Sequence, residues 1–93
     1  METLKKKELY SKVISKWGID TQLWMVTEEC SELLNAIAKY KRGRETQDAI
    51  LEELADVSIM VEQIACYFCE ARFNHFKEAK LQRLLERVEK VLR

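Results

Sequence analysis

Long periodic segments without proline constrain this chain more than any other feature. The sequence has no proline, and its two glycines, Gly18 and Gly43, lie between segments whose apolar residues recur at helical spacing. Proline and glycine are the residues that most often interrupt regular structure, so this pattern favours long helices. The sequence predicts an all-α fold with one domain, residues 1–93, arranged as an antiparallel four-helix bundle. Because so short a chain buries only a small core, we expect oligomerisation to complete it.

Helix boundaries are predicted from capping residues and from the ends of the apolar patterns. Asp20, Asn74, and either Thr46 or Asp48 are candidate N-caps, and Gly43 is a candidate C-cap. The predicted helices cover residues 3–16, 21–42, 47–72 and 75–92. The predicted core stripes are Leu23, Val26, Cys30, Leu33, Leu34 and Ile37 on the second helix, and Ile50, Leu54, Val57, Val61, Ile64 and Phe68 on the third. Additional apolar residues on the third helix, Leu51, Ile59 and Cys66, suggest a subunit contact.

Charge and composition exclude several classes of protein. The 16 basic residues balance 16 acidic residues, so no net charge attracts nucleic acid or a membrane surface. No apolar run approaches the roughly 20 residues that a membrane span needs. The first eight residues lack the apolar region of a signal peptide, and three cysteines are an odd number. We therefore expect a cytoplasmic protein with reduced thiols, which binds neither a membrane nor a nucleic-acid polymer.

Two acidic segments on separate helices are the main candidate for a functional site. Each has two carboxylates three residues apart, Glu29 with Glu32 and Glu53 with Asp56. This spacing places both side chains on one helix face, about 60° apart. Helical phase directs Glu53 into the apolar arc, places Glu29 and Asp56 at the stripe edges and leaves Glu32 further out. Glu28 and Glu52 point away from the core and are not predicted metal ligands, and the sequence leaves open whether they take part in the site in another way.

Four neighbouring carboxylates repel each other unless a metal ion, bound protons or basic side chains neutralise them. Oxygen ligands suit hard cations, foremost Mg²⁺ and then Mn²⁺. The alternative is that these glutamates merely face solvent, as helical glutamates usually do. A di-iron bundle would need Glu-x-x-His motifs, but the one histidine, His75, lies outside both acidic segments. Cys66 and Cys69 lack the second pair that a zinc site requires, so they are expected to be buried thiols.

The two acidic segments, with their flanking residues, resemble a known family. Gln22, then Glu28-Glu29-Cys30-Ser31-Glu32-Leu33, then Glu52-Glu53-Leu54-Ala55-Asp56-Val57 are similar to the MazG-type all-α nucleoside triphosphate pyrophosphohydrolases. The resemblance covers residues 17–63 and extends weakly to residues 80–83.

This resemblance implies Mg²⁺-dependent cleavage of a nucleoside triphosphate between its α- and β-phosphates, which gives a nucleoside monophosphate and pyrophosphate. Removal of aberrant or excess nucleotides is one role that such a reaction can serve, and the sequence leaves the role open. It implies that the metal ligands and catalytic residues are Glu29, Glu32, Glu53 and Asp56. It also implies a homodimer or homotetramer with active sites near subunit contacts.

Substrate-binding residues are predicted from charge and ring chemistry. Basic side chains that follow the first acidic segment or lie on the fourth helix could neutralise phosphate oxygens. Two tryptophans could stack on a base, and a glutamine could bind its edge, although tryptophans more often pack in cores and interfaces. The phosphate-binding candidates are Lys39, Arg42, Lys80 and Arg83, and the base-binding candidates are Trp17, Gln22 and Trp24. The alternative function is a helical interaction module with a surplus apolar surface and a basic C-terminal stripe.

Overall fold

The computed structural model describes residues 1–92, which form four α-helices. No strand occurs within this range, so the prediction of an all-α fold with four helices is confirmed. Over the same residues, no helix combines the length and the apolarity that crossing a membrane would require. The helices are α1 (Thr3–Trp17), α2 (Ile19–Lys41), α3 (Gln47–Phe68) and α4 (Glu70–Leu92).

Both glycines lie at helix ends in a backbone conformation that residues with side chains rarely adopt. Gly18 has a φ of 87° and separates α1 from α2, and Gly43 has a φ of 74° just after α2. Asp20 lies in the first turn of α2 rather than at its N-cap, where its charge still favours the positive helix end. Thr46 caps α3 as predicted, because its side-chain oxygen accepts a hydrogen bond from the Ala49 N–H at 3.4 Å.

The boundary between α3 and α4 differs from the prediction. Helix α3 ends at Phe68, and Cys69 has extended backbone with φ −175° and ψ 104°. Helix α4 begins at Glu70, so Asn74 lies within that helix and is not its cap. Neither glycine nor proline marks this break, which explains why the apolar spacing extended the third predicted helix too far.

The buried face of the α2–α3 pair lies about a quarter turn away from the predicted apolar stripes. A short connection makes these two helices antiparallel. On α2 the buried side chains are Gln22 and Ala36, each seven residues from Glu29. On α3 the buried side chains are Met60 and Gln63. Several members of the predicted stripes are instead exposed, namely Leu23, Leu34, Leu54, Val61 and Phe68.

Helix α1 is held against α3 by polar contacts as well as by burial. Tyr10 is 6% exposed, and its hydroxyl donates a hydrogen bond to the Glu62 carboxylate at 2.5 Å. The ammonium group of Lys6 lies 3.7 Å from the same carboxylate, and that of Lys7 lies 3.2 Å from Glu70 at the start of α4. These polar contacts attach α1 to the α3–α4 part of the chain.

Helix α4 packs on the rest of the chain only near its start. Phe73 is partly buried, but every side chain from residue 74 to residue 91 is exposed. The apolar face of α4 is thus uncovered in a single chain, although apolar faces of helices are normally buried. Its large exposed residues include Leu81, Leu84, Leu85 and Val88, each about half exposed.

The contact between Tyr10 and Glu62 predicts how the free energy of unfolding changes at alkaline pH. Burial, followed by the hydrogen bond to Glu62 and its charge, raises the pKa of Tyr10 from 10.0 to about 12. The unfolded chain loses this proton near pH 10 while the folded chain retains it, so the free energy of unfolding should fall between pH 10 and 12. We expect Tyr10→Phe to cost about 1–2 kcal/mol at pH 7 and to remove this part of the alkaline loss.

Urea unfolding at several pH values and absorbance titration of tyrosine would measure both effects. Tyr67→Phe is a suitable control, because Tyr67 is about half exposed. If the free energy of unfolding fell by the same amount between pH 10 and 12 in the wild type and in Tyr10→Phe, Tyr10 would not be the source of the alkaline loss.

Candidate metal centre

Three carboxylates from two helices meet in the middle of the α2–α3 pair. One oxygen atom from each of Glu29, Glu53 and Asp56 lies within 4.8 Å of the other two. Oxygen ligands of one Mg²⁺ ion, each about 2.1 Å from the metal, lie at most about 4.2 Å apart. Small side-chain rotations would therefore let all three carboxylates reach a single ion.

Two of these carboxylates have oxygens that the protein leaves without partners. Glu29 and Glu53 are partly buried, and Oε2 of each is shielded from solvent with no hydrogen-bond donor. A buried carboxylate oxygen without a partner is costly. A cation would satisfy both oxygens at once, so the donor set fits a hard divalent metal ion. The burial of Glu29 and Glu53 agrees with the inward directions predicted for them, while Asp56 is exposed at the edge of the cluster.

The electrostatics of the cluster favour a positive occupant. Burial raises the pKa of Glu29, and the charges of Glu32, Asp56, Glu53 and Glu28 raise it further. Burial also raises the pKa of Glu53, followed by the charges of Glu32 and Asp56. Both carboxyl groups therefore hold protons more strongly than a free glutamate, and a metal ion would displace those protons.

Glu32 lies next to this cluster but is not one of its three members. Its side chain is exposed, and after burial its negative charge is the largest cause of the raised pKa of Glu53. Both Glu32 and Glu53 line a cleft of about 180 Å³ between α2 and the first turns of α3. Glu32 is thus adjacent to the three-carboxylate cluster on its solvent side, and its predicted role as a metal ligand stays a prediction.

Among the predicted phosphate-binding residues, Lys39 lies nearest to the carboxylates. It lines the same cleft as Glu32 and Glu53, about two turns along α2 from Glu32. Arg42 is exposed and forms the C-terminal end of α2, about one turn beyond Lys39. The other two candidates, Lys80 and Arg83, are exposed on α4 and do not line this cleft. A single chain therefore does not bring all four basic residues together.

The predicted base-binding residues have different environments. Trp17 and Trp24 are 53% and 72% exposed, so neither belongs to the core of a single chain. The ammonium group of Lys16 lies 4.9 Å from the centre of the Trp17 ring. Trp24 borders an open hollow with Asp20, Leu23 and Thr27. Gln22, in contrast, is only 6% exposed and faces the interior of the α2–α3 pair.

The cysteines do not form a second metal centre within the described part of the chain. Cys30, Cys66 and Cys69 are free thiols, each partly buried. The Cys66 thiol donates a hydrogen bond to the Glu70 carboxylate at 3.2 Å. Burial, and then this hydrogen bond, raise the pKa of Cys66, so the thiol stays protonated and weakly reactive.

One polar residue near the centre was missing from the sequence-based list. Gln63 is 4% exposed, and its side-chain oxygen has no hydrogen-bond partner. The sequence did contain a signal that Gln63 lies on the same helix face as Asp56. Gln63 follows Asp56 by seven residues, which complete nearly two helical turns. The signal was overlooked because the apolar stripes were taken as the centre of the buried face.

A comparison with protein families agrees with the carboxylate arrangement. Residues 18–90 match the model described as the MazG nucleotide pyrophosphohydrolase domain. This match spans most of the 93 residues and includes both acidic segments. The chain belongs to the MazG family. Membership indicates a nucleotide pyrophosphohydrolase and agrees with the resemblance seen in the sequence.

Comparisons with individual proteins add no closer relative to this MazG-family chain. No curated protein and no solved structure matches it. The roles of individual residues must therefore be argued from the geometry of the carboxylate cluster itself.

Metal binding at the cluster should appear as a change in stability. We expect Mg²⁺ or Mn²⁺ to raise the melting temperature of the wild type at pH 7.5, because metal at a hundredfold excess over its dissociation constant adds about 2.7 kcal/mol to the free energy of unfolding. Glu53→Gln should lose this shift. Without metal it should be at least as stable as the wild type, because one of the repelling charges is gone.

The matched control is Glu52→Gln, since Glu52 is the neighbouring exposed glutamate outside the cluster. Lowering the pH should shrink the metal shift, because protons compete for Glu29 and Glu53, whose pKa values are raised above 4.5. In the metal-free protein the same raised pKa values predict lower stability as pH rises above about 4.5. Differential scanning fluorimetry measures these melting temperatures. If metal raised the melting temperature of Glu53→Gln as much as that of the wild type, this site would be excluded.

Proposed function

We propose that this protein is a Mg²⁺-dependent nucleoside triphosphate pyrophosphohydrolase. It cleaves a ribo- or deoxyribonucleoside triphosphate between the α- and β-phosphates, and releases a nucleoside monophosphate and pyrophosphate. The observation that supports this most directly is the cluster of Glu29, Glu53 and Asp56, with its two buried, unpartnered oxygens, inside the segment that matches the MazG family. Mn²⁺ is an alternative cation with the same preference for oxygen ligands.

Each residue near the cluster has a role that follows from its position. Glu29, Glu53 and Asp56 would hold the cation, which supplies charge neutralisation at the phosphates and Lewis acidity toward a water molecule. Glu32 lies beside Glu53 on the solvent side of the cluster, where its carboxylate can accept the proton of the attacking water. This assignment separates Glu32 from the three ligands, although the family resemblance groups all four carboxylates together.

The polyphosphate needs positive groups beside the cluster. Lys39 lines the same cleft as Glu53 and would contact the phosphate oxygens, where an ammonium group stabilises developing negative charge. Arg42 lies about one turn further along α2, outside the lining of this cleft. Lys80 and Arg83 lie on the exposed α4 and would reach the phosphates only in an assembly that places α4 over the cleft.

Pyrophosphate release from a panel of common and modified nucleoside triphosphates tests the proposed reaction. We expect Mg²⁺-dependent release that Glu53→Gln or Asp56→Asn abolishes, because each variant removes a ligand. Glu32→Gln should lower kcat by about 10²–10⁴-fold, the usual contribution of a general base, while it retains the metal-induced rise in melting temperature.

Loss of both activity and metal stabilisation in Glu32→Gln would instead make Glu32 a fourth ligand, as the family resemblance implies. Absence of release from the whole panel by folded, metal-binding protein would rule out the reaction.

A second candidate function, a helical interaction module, relies on the exposed face of α4. This helix carries both the uncovered apolar residues and a basic stripe that includes Lys77, Lys80 and Arg87. A module of this kind needs no metal, so the absence of any Mg²⁺-linked stabilisation would favour it. The buried, unpartnered carboxylate oxygens favour the enzyme.

The exposed apolar surface further supports a homodimer or homotetramer. The stripes of α2 and α3 and the face of α4 leave many large apolar side chains in solvent, more than an isolated soluble chain usually shows. A second copy would bury these faces and complete the small core.

Light scattering should therefore give a mass of two or four times the 11.0 kDa of one chain. We expect Leu84→Lys, on the apolar face of α4, to shift the protein toward monomer. Ala79→Lys adds the same charge on the opposite face of this helix and should leave the assembly intact. A monomeric wild type at micromolar concentration would contradict the proposal.

A further inference from the structure

The two buried polar side chains within residues 1–91 are both glutamines. Gln22 is 6% exposed and Gln63 is 4% exposed. The side-chain oxygen of Gln63 has no hydrogen-bond partner, although nearly all buried polar atoms in folded proteins have one. An unpaired buried amide is costly, and replacing it with an apolar side chain of similar size would remove that cost. Packing alone therefore does not explain why a glutamine occupies position 63.

The two glutamines lie in the same layer of the α2–α3 pair. Gln22 precedes Glu29 by seven residues, and Gln63 follows Asp56 by seven residues. Seven residues make nearly two helical turns, or about 10 Å along the axis. Because the helices are antiparallel and Glu29 meets Asp56 in the carboxylate cluster, both steps lead in the same direction from that cluster. This amide layer, Gln22 and Gln63, thus lies about 10 Å along the helix axes from the carboxylates, on the same faces of the two helices.

Gln63 also lines a cavity that is large enough for a small ligand. The cavity has a volume of about 560 Å³ and lies between α1, the end of α3 and the start of α4. Its lining is mixed, and the polar side chains in it include Tyr10, Ser11, Ser15 and Tyr67. Binding sites for small molecules commonly have such volumes, with a few polar groups that fix orientation. The terminal torsion of a glutamine is soft, so its amide can turn toward a ligand in this cavity.

We propose that Gln63 is a specificity-determining residue, which hydrogen-bonds the nucleobase edge of a substrate bound at the carboxylate cluster. This inference rests on the proposed function, because it takes the phosphates to be held at Glu29, Glu53 and Asp56. A carboxamide offers one acceptor and two donor protons, and the pairing edge of every common base presents a donor beside an acceptor. The base would supply the missing partner for the Gln63 oxygen, and the nucleoside would extend from the cluster toward the amide layer.

Kinetics with a substrate whose nucleobase has an altered pairing edge would test the role of Gln63. The comparison uses the best natural triphosphate and its analogue methylated at the ring nitrogen of the pairing edge, in the wild type and in Gln63→Leu. We expect the wild type to prefer the natural base by about tenfold or more in kcat/KM, and Gln63→Leu to reduce this preference to about threefold or less. The metal-induced rise in melting temperature should be unchanged. Gln82→Leu, at an exposed position on α4, is the matched control.

A binding measurement separates this inference from the proposed reaction. The chain has four glutamines, Gln22, Gln47, Gln63 and Gln82, so ¹⁵N-glutamine labelling gives four pairs of side-chain amide signals. The Gln63 pair is assigned by its loss in Gln63→Leu, or in Gln63→Met if the first variant does not fold. Added nucleosides, and α,β-methylene triphosphates with Mg²⁺, should shift the Gln63 signals and leave those of the exposed Gln47 and Gln82 in place.

The outcomes are distinct. If nucleotides shift the Gln63 signals but no pyrophosphate is released, the reaction is wrong and the base contact is supported. If pyrophosphate is released while Gln63→Leu keeps the wild-type base preference and the Gln63 signals do not move, the base contact is wrong and the reaction stands. Binding of no nucleoside or nucleotide at all would overturn the inference.

Discussion

The repulsion among Glu29, Glu53 and Asp56 is the constraint on which the rest of the structure depends. Three carboxylate oxygens within 4.8 Å of each other, two of them from partly buried residues, oppose the close approach of α2 and α3. The two helices nevertheless form the most extensive contact in the chain, so packing elsewhere along them must offset that repulsion. A bound cation would turn the same cluster from a cost into a cross-link between the helices, and metal binding would then contribute to stability.

The position of the cluster also explains why so much apolar surface stays uncovered. The line through Gln22, Glu29 and Ala36 forms the centre of the buried face of α2, and Glu53, Met60 and Gln63 form that of α3. With polar residues at this centre, the apolar stripes are displaced to the side, where Leu54 and Phe68 remain 44% and 64% exposed. The buried site and the uncovered stripes are therefore two results of one helix orientation, and a second copy of the chain would cover what that orientation exposes.

Sequence periodicity recovered the helices and the inward directions of Glu29 and Glu53, because both depend on the geometry within one helix. It placed the centre of the core about a quarter turn away from the buried face, because the stripes were taken to meet each other. Seven of the twelve stripe residues are partly buried and five are exposed. Which face of α2 meets α3 depends on contacts across the pair, and no pattern within one helix contains that information. The extended residue Cys69 was missed for a related reason, since neither glycine nor proline marks the break. Tyr10 was missed because its partner, Glu62, lies 52 residues away.

The seven-residue spacing connects the carboxylate cluster to the amide layer through rigid elements. Helix α2 carries Gln22 and Glu29 without interruption, and helix α3 carries Asp56 and Gln63 in the same way. The distance between the two layers is therefore set by helical rise and not by a loop, so loop movements do not change it. A substrate that contacts both layers must match about 10 Å between its metal-bound phosphates and the edge of its base. Because both helices carry both layers, sliding α2 along α3 by one turn would separate the carboxylates and the glutamines together. Phosphate binding and base selection would consequently be lost in the same step. This coupling arises because both layers are built on the faces of the same two helices and not on separate loops.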